Sequence, residues 1–173
     1  MAAPASQAVS NTPKFIVIAE DHPFFGSIIV QAFTKFFLGK DTQVVWVNNT
    51  QDAESAAGGK PFSGSVLTKF TTETEQAEFA SRNWEQVKPD VLLLDNQMPP
   101  RPGTDAEDDE GKGLATRVRA AGLKIFIASI SSNPLEPELL QQGIFDADLQ
   151  KPRLFANWGP NLIEAFNRAS QKV

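Results

Sequence analysis

The sequence predicts an α/β fold built around one parallel β-sheet, and three observations carry this prediction. Short apolar runs recur along the chain, stretches of helical periodicity separate them, and each run stops at a polar or charged residue. An uninterrupted apolar run is typical of a strand buried on both faces, as strands of parallel sheets are. Because such strands all point the same way, their polar ends should meet at one edge of the sheet.

The clearest of these runs is Val91–Leu94, which Asp95 follows directly before a polar segment that ends in two prolines. The pattern predicts a buried strand whose C-terminal end opens into a loop. Ligands bind at that end of the strands in open α/β sheets. Taken alone, the segment therefore leaves two interpretations of Asp95, a site residue or a cap of the following turn.

The first apolar run, residues 14–19, ends in Glu20 and Asp21. It predicts a second strand that delivers carboxylates to the same edge of the sheet. Pro23 then suits the first turn of a helix, whose apolar stripe continues to Gly39 and is expected to face the core.

The segment between residues 41 and 90 is longer than one strand and one helix require. Residues 43–47 and 66–71 both have strand patterns, and the sequence leaves open which of the two lies beside the first strand. The segment 57–61 contains two glycines and a proline and breaks the chain between them. A capping box then predicts a helix over residues 72–87.

An acidic loop follows Asp95, with five carboxylates between Asp105 and Glu110. We expect a solvated, mobile loop, and the alternative is a dedicated binding site. Beyond it, the predicted elements are a helix over 114–121, a strand over 124–128 that ends at Ser129, a helix over 134–142, a strand over 146–150 and a helix over 161–169.

Composition limits the function classes. The chain of 173 residues predicts one domain over residues 14–173, after an Ala/Ser/Pro-rich lead-in over 1–13 that we expect to be disordered. The absence of cysteine and the single histidine exclude disulfides, thiolate chemistry and multi-histidine metal sites. A net charge of −5 argues against nucleic-acid and anionic-membrane partners. Without a signal peptide or an apolar stretch of membrane-spanning length, we expect a cytoplasmic protein.

The polar strand ends form a constellation that is more specific than any one member. It consists of Glu20, Asp21, Asp95, Ser129 and Lys151. Three carboxylates at one edge repel each other unless a cation lies among them, and all-oxygen ligands suit Mg²⁺. The lysine can neutralise a phosphate and the serine hydroxyl can bond one of its oxygens. Since a carboxylate can act as the nucleophile in aspartyl-phosphate chemistry, the set predicts phosphoryl transfer.

In order and residue type, this constellation resembles the receiver domain of two-component response regulators. The resemblance covers about residues 14–170, apart from insertions around the second strand and after the third. The matching positions are Ala19, Glu20, Asp21, His22, Pro23, Leu93, Leu94, Asp95, Met98, Pro99, Gly113, Ser129, Lys151 and Pro152.

The resemblance implies a flavodoxin-like, doubly wound fold with a five-stranded parallel sheet of order 2-1-3-4-5. It also implies phosphorylation of Asp95 by a histidine kinase or a histidine phosphotransfer protein. Glu20, Asp21, Asp95 and the backbone carbonyl of Gln97 would bind Mg²⁺. One departure concerns output, because Asp148 stands where the family usually has an aromatic residue, three positions before the lysine.

We therefore expect a stand-alone receiver similar to the chemotaxis regulator, which is not an enzyme and signals by binding a downstream protein. The alternative is a degenerate receiver that acts as a phosphorylation-independent interaction domain. A phosphatase of the haloacid-dehalogenase type would need an acid where Gln97 stands. A flavin or nucleotide site would need a glycine-rich phosphate cradle where the first loop is acidic.

Overall fold

The computed structural model describes residues 12–22, 42–62, 65–66 and 88–171, together with Phe25, Ile28, Ala32 and Phe36, which are all helical. The strands are β1 (Phe15–Ala19), β2 (Gln43–Val47), β3 (Ser65–Val66), β4 (Val91–Leu94), β5 (Phe126–Ser129) and β6 (Ala147–Asp148). The helices with described bounds are α1 (Thr50–Ala57), α2 (Glu110–Ala120), α3 (Pro137–Gln141) and α4 (Lys151–Ser170).

Five strands run parallel in the spatial order β2-β1-β4-β5-β6, which is the order 2-1-3-4-5 when only these strands are counted. The predicted flavodoxin-like fold is thereby confirmed. Of the two competing runs, residues 43–47 lie beside β1. The short β3 pairs with the outer side of β2 in antiparallel orientation, and residues 67–71 of the second run lie outside the described residues.

The apolar runs form strands because both of their faces are covered. All residues of β1 and β4 are buried, and alternate side chains of β1 point to opposite faces of the sheet. One apolar layer includes Phe15, Val17, Leu92, Ala53, Leu114 and Val118, and therefore lies under α1 and α2. The other includes Ile16, Ile18, Leu93 and Leu162, with Phe36 packed against it, and lies under α4. Helices on both faces make the fold doubly wound.

The helix α1 was not predicted, because its sequence lacks large apolar residues. Its buried face consists mainly of alanines, Ala53, Ala56 and Ala57, which give little periodic signal. The helix begins after Asn49, whose side chain accepts a hydrogen bond from the backbone N–H of Asp52.

Several predicted bounds were wrong, although the elements exist. The helix expected from residue 114 begins at Glu110, and the helix expected from residue 161 begins at Lys151 and is interrupted at Asn157. Glycines near the start of α2 and prolines in α4 weaken the helical sequence pattern, so both helices were predicted to begin too late. A proline is nevertheless well accommodated in a first helical turn. The predicted helix over 134–142 and the strands over 124–128 and 146–150 are observed as α3, β5 and β6.

Other predictions were confirmed or lie outside the described residues. The helix stops expected at Gly122 and Gly143 are present, with φ of 71° and 70°. The predicted lead-in, apart from residues 12–13, and the predicted helix over 72–87 lie outside the described residues. Among the helices that are described, none has both the length and the apolar character required to cross a membrane.

Candidate functional site

The register of the sheet brings three strand ends together. Ala19 pairs with Leu94, and Leu94 pairs with Ser129, so that β1, β4 and β5 end at the same level. The backbone N–H of Asp95 donates to the carbonyl of Ala19 at 2.9 Å. The residues that follow these strands therefore meet at one edge, as the sequence predicts.

Three predicted metal ligands lie together at this edge. Glu20, Asp21 and Asp95 each offer a carboxylate oxygen, and these oxygens lie within 4.8 Å of one another. Glu20 is 0% exposed and Asp95 is 6% exposed, whereas Asp21 is half-buried. Such a group of buried acids is costly unless positive charge compensates it.

Lys151, the first residue of α4, provides that positive charge. Its Nζ lies 2.6 Å from Asp95 Oδ2 and 2.7 Å from Glu20 Oε2. Burial alone would lower the pKa of Lys151, but hydrogen bonds and charge from Asp95 and Glu20 outweigh burial and raise the pKa. The lysine is thus protonated and contacts both acids, with the ring centroid of Phe25 5.1 Å from Nζ.

Glu20 is the most perturbed acid of the site. Burial, reinforced by the negative charge of Asp95, raises the pKa of Glu20 to about 7. Its Oε1 accepts a hydrogen bond from the backbone N–H of His22 at 3.1 Å, while its backbone carbonyl accepts one from Trp46 Nε1 at 2.6 Å. Sequence reasoning missed Trp46, which lies on the neighbouring strand.

The donor set fits a divalent cation. Glu20 Oε2 is buried, and it contacts Lys151 Nζ at 2.7 Å. A buried carboxylate oxygen in this condition, next to two further carboxylates, is the kind of ligand that hard cations select. Glu20, Asp21 and Asp95 could therefore hold a metal ion. Gln97 follows Asp95 in the same loop, and its side-chain Nε2 donates to Asp108 Oδ1 at 3.1 Å.

Ser129 lies at the end of β5 and is buried. Its Oγ accepts a weak hydrogen bond from the backbone N–H of Ser131 at 3.4 Å, which leaves the hydroxyl hydrogen for another acceptor. Asp148 is its register neighbour on β6, and Asp148 Oδ2 accepts a hydrogen bond from the backbone N–H of Leu135 at 3.0 Å. Through this hydrogen bond, Asp148 holds the loop that follows Ser129.

One glycine contacts the site, and it is not the one that the resemblance matched. A Cβ atom at Gly111 would lie 2.0 Å from the backbone oxygen of Asp95, whereas a Cβ atom at Gly113 would meet only Arg117 Nη1 at 3.3 Å. The backbone N–H of Gly111 also donates to the carbonyl of Asn96 at 3.0 Å. Local sequence could not distinguish two glycines that lie two residues apart.

The acidic loop is exposed, as expected, except at the half-buried Glu110, and three of its five acids have hydrogen-bond partners. Asp108 bonds Gln97, and Asp109 bonds both Asn96 and Lys112. The third, Glu110, accepts hydrogen bonds from Thr50 and Arg117. The backbone of the loop also pairs with itself, since Met98 and Glu107 exchange two hydrogen bonds. These contacts tie three of the five acids to neighbouring residues, and the expected mobility of the loop stays a prediction.

The raised pKa of Glu20 predicts how the stability of the metal-free protein depends on pH. The folded pKa of about 7 exceeds the ordinary value of 4.5, so protonated Glu20 stabilises the folded state at low pH. This contribution is fully present below pH 4.5 and is lost as pH rises through 7, by on the order of 3 kcal/mol. Urea unfolding of the wild type and of Glu20→Gln in chelator between pH 5 and 8 measures the difference.

The Glu20→Gln variant should lack this part of the decline, because its amide does not titrate. A divalent cation should oppose the decline in the wild type, since it stabilises the ionised carboxylate. An identical pH profile for the two metal-free proteins would contradict the assignment to Glu20.

The comparisons with known proteins concern the fold. No protein-family model matches the sequence, and no curated protein does. Among solved structures, the chain resembles a signal receiver domain from Vibrio parahaemolyticus with a TM-score of 0.56 and 12% identity, over 93% of this chain and 95% of that one. It also resembles the receiver domain of the histidine kinase CKI1 from Arabidopsis thaliana, with a TM-score of 0.54 and 17% identity. That alignment covers 91% of this chain and 90% of the CKI1 domain.

A third similar structure is the phosphorylated cyanobacterial phytochrome response regulator RcpA. Its TM-score is 0.52 at 18% identity, over 92% of this chain and 93% of that one. All three are receiver domains or response regulators, and each alignment spans nearly the whole of both chains. Together with the strand order 2-1-3-4-5, these similarities show that this chain has the fold of response regulator receiver domains.

Proposed function

We propose that this protein accepts a phosphoryl group on Asp95 in a Mg²⁺-dependent reaction and passes a signal by binding another protein. The observation that carries the proposal is the contact set of Asp95. Its carboxylate lies at a strand end, 2.6 Å from a protonated lysine and within 4.8 Å of oxygens from Glu20 and Asp21. A carboxylate so placed can act as a nucleophile, because its surroundings neutralise the charge that phosphoryl transfer brings.

The residues divide the chemistry between them. A carboxylate oxygen of Asp95 forms the new bond to phosphorus, while the bond from phosphorus to the leaving atom of the donor breaks and the electron pair departs with that atom. Lys151 neutralises charge on the transferred group, and the Ser129 hydroxyl donates a hydrogen bond to one of its oxygens. Glu20, Asp21 and Asp95, with the Gln97 carbonyl, would hold Mg²⁺, which supplies further neutralisation of the phosphoryl oxygens.

The proposed partners follow from the resemblance and from the similar structures. The donor would be a histidine kinase or a histidine phosphotransfer protein, and the recipient of the signal a downstream protein. One similar structure is the receiver domain of a histidine kinase, and another is a phosphorylated response regulator. Both support a place in two-component or phosphorelay signalling.

Incubation with a small acyl phosphate and Mg²⁺, followed by intact mass measurement, tests the proposal. We expect the mass to increase by one phosphoryl group, and we expect a chelator to prevent the increase. An unchanged mass at every Mg²⁺ concentration would contradict the proposal.

A phosphorylation-independent interaction domain is the second candidate. The observation that favours it is that Lys151 already contacts both Glu20 and Asp95, so the acids are compensated without further ligands. This candidate predicts no labelling and a partner affinity that Asp95→Asn leaves unchanged.

Lys151 and Ser129 should have separable roles. Lys151→Ala should strongly impair labelling, and it should destabilise the metal-free protein by about 3 kcal/mol because two buried carboxylates lose their cation. Ser129→Ala should largely spare labelling and reduce the phosphorylation-dependent affinity for a partner. Intact mass, urea unfolding and partner binding measure these effects. As a control, Arg168→Ala removes an exposed ion pair with Glu164 on α4 and should change none of them.

Equal effects of the Lys151 and Ser129 substitutions on labelling and on binding would contradict this division. A loss of labelling in Ser129→Ala alone would assign the hydroxyl to the transfer step rather than to the signal.

A further inference from the structure

A polar cleft of about 340 Å³ adjoins the candidate site. Its lining includes Ser129, Ser131, Asn96, Asp109, Lys112 and Glu136. One wall is the loop that follows β4, and the other is the loop that follows β5. A molecule that approaches Ser129 through this cleft must pass between the two loops.

Lys112 connects the two walls. Its Nζ lies 2.7 Å from Asp109 Oδ1, at the end of the loop after β4, and 2.6 Å from Glu136 Oε1, at the end of the loop after β5. Among the described residues that line the cleft, Lys112 is the one cation. The hydrogen bond to Lys112 is the largest cause of a lowered pKa in both Asp109 and Glu136, which agrees with a doubly paired ammonium group.

A further hydrogen bond holds each of the two loops that the bridge connects. Asn96 Nδ2 donates to Asp109 Oδ1 at 3.1 Å, which ties the first wall to the residue after Asp95. Asp148 Oδ2 accepts the backbone N–H of Leu135 at 3.0 Å, which ties the second wall to β6. The bridge therefore joins two loops that are each held by a further hydrogen bond.

We propose that Lys112 is a gate residue, whose bridge to Asp109 and Glu136 restricts access through this cleft to Ser129, at the sheet edge that also carries Asp95. This inference deepens the proposed function and rests on it for the identity of what enters, a phosphodonor. A donor that enters through this cleft does so in an open form in which the bridge is broken.

The ion pairs of the bridge are weak enough for the bridge to open. The carboxylates are 69% and 53% exposed, so each ion pair is weak, and a weak bridge opens and closes rapidly. The pair between Lys112 and Glu136 is the one that joins the two loops, so removal of either residue should increase the open fraction by about two- to fivefold, the factor that corresponds to one exposed ion pair.

The absence of cysteine from the chain allows a direct measurement of access. Ser131→Cys places one thiol in the cleft, and alkylation by iodoacetamide, a neutral reagent, reports how often the cleft is open. In this background, we expect Lys112→Gln and Glu136→Gln each to accelerate alkylation about two- to fivefold, after correction for the thiolate fraction. The double variant should be no faster than the faster single variant, because one bridge is broken in all three.

The two single substitutions change the local charge in opposite directions. An effect of charge alone would accelerate alkylation in one variant and slow it in the other, and that outcome would overturn the gate. Arg117→Gln is the matched control, because Arg117 lies on the same helix and also pairs with two carboxylates, Glu54 and Glu110, at residues that do not line the cleft. Equal acceleration in Arg117→Gln would likewise overturn the proposal.

Labelling by a small acyl phosphate in the cysteine-free protein gives a second readout, which does not depend on Ser131→Cys folding. Both single variants should be labelled about two- to fivefold faster than the wild type. If all proteins are labelled but neither variant differs from the wild type in labelling or alkylation, the gate is wrong and the proposed function stands. If alkylation accelerates while no protein is labelled, the gate is supported and the proposed function fails.

Discussion

Replacement of Asp95 by asparagine is expected to abolish phosphoryl labelling and to leave the fold intact. The amide removes the nucleophilic carboxylate, but its oxygen can still accept the hydrogen bond that the backbone N–H of Asn96 donates at 2.7 Å. Lys151 retains its contact with Glu20, so no buried cation is left without a partner. Intact mass measures labelling, and circular dichroism with urea unfolding measures the fold and its stability.

Asp90 provides a matched control at the opposite end of the same strand. Its carboxylate accepts hydrogen bonds from the backbone N–H groups of Lys14 and Phe15, far from the polar edge. Asp90→Asn should therefore be labelled at the wild-type rate. Labelling of Asp95→Asn at the wild-type level would show that another residue is the acceptor.

Gly111→Ala is expected to produce the largest loss of stability at a position outside the charged cluster. The added methyl carbon would lie 2.0 Å from the backbone oxygen of Asp95, and 2.9 Å from its carbonyl carbon. Because both are backbone atoms, α2 or the end of β4 must shift. We expect a loss of about 3 kcal/mol in the free energy of unfolding, with slower labelling since Asp95 itself is displaced. Urea unfolding and the rate of labelling measure the two effects.

Gly113→Ala is the matched control, two residues further along the same helix. Its methyl group would meet only the flexible end of Arg117, and alanine is the better helix former by about 1 kcal/mol. This variant should be as stable as the wild type or slightly more stable, with normal labelling. Equal destabilisation by the two substitutions would mean that helix packing in general, and not the contact with Asp95, requires glycine here.

The class of fold could be predicted because it depends on local patterns. The runs 14–19 and 91–94 contain almost no polar residues, and a segment of that kind is stable only when both of its faces are covered. Covered strands that alternate with helices lead to a parallel sheet, and a parallel sheet brings the residues after its strands to one edge. The proximity of Glu20, Asp21 and Asp95 follows from this reasoning.

Elements with weak local signals could not be predicted in the same way. The helix α1 buries alanines, whose small side chains give little hydrophobic periodicity. Residues 43–47 and 66–71 both have strand patterns, and only the pairing with β1 decides which of them lies beside the first strand. A strand pattern indicates that a segment will pair with another strand, but which strand it pairs with, and in which direction, depends on the whole sheet.

The sheet, its polar edge and the residue types gathered there follow from local sequence, because burial and strand direction act on each segment separately. Two contacts follow only from the folded arrangement, that of Gly111 rather than Gly113 with Asp95 and that of Lys112 with Glu136, 24 residues away. Close approach of two backbones and ion pairing across loops depend on distances between segments that are remote in the chain, and no local periodicity encodes those distances.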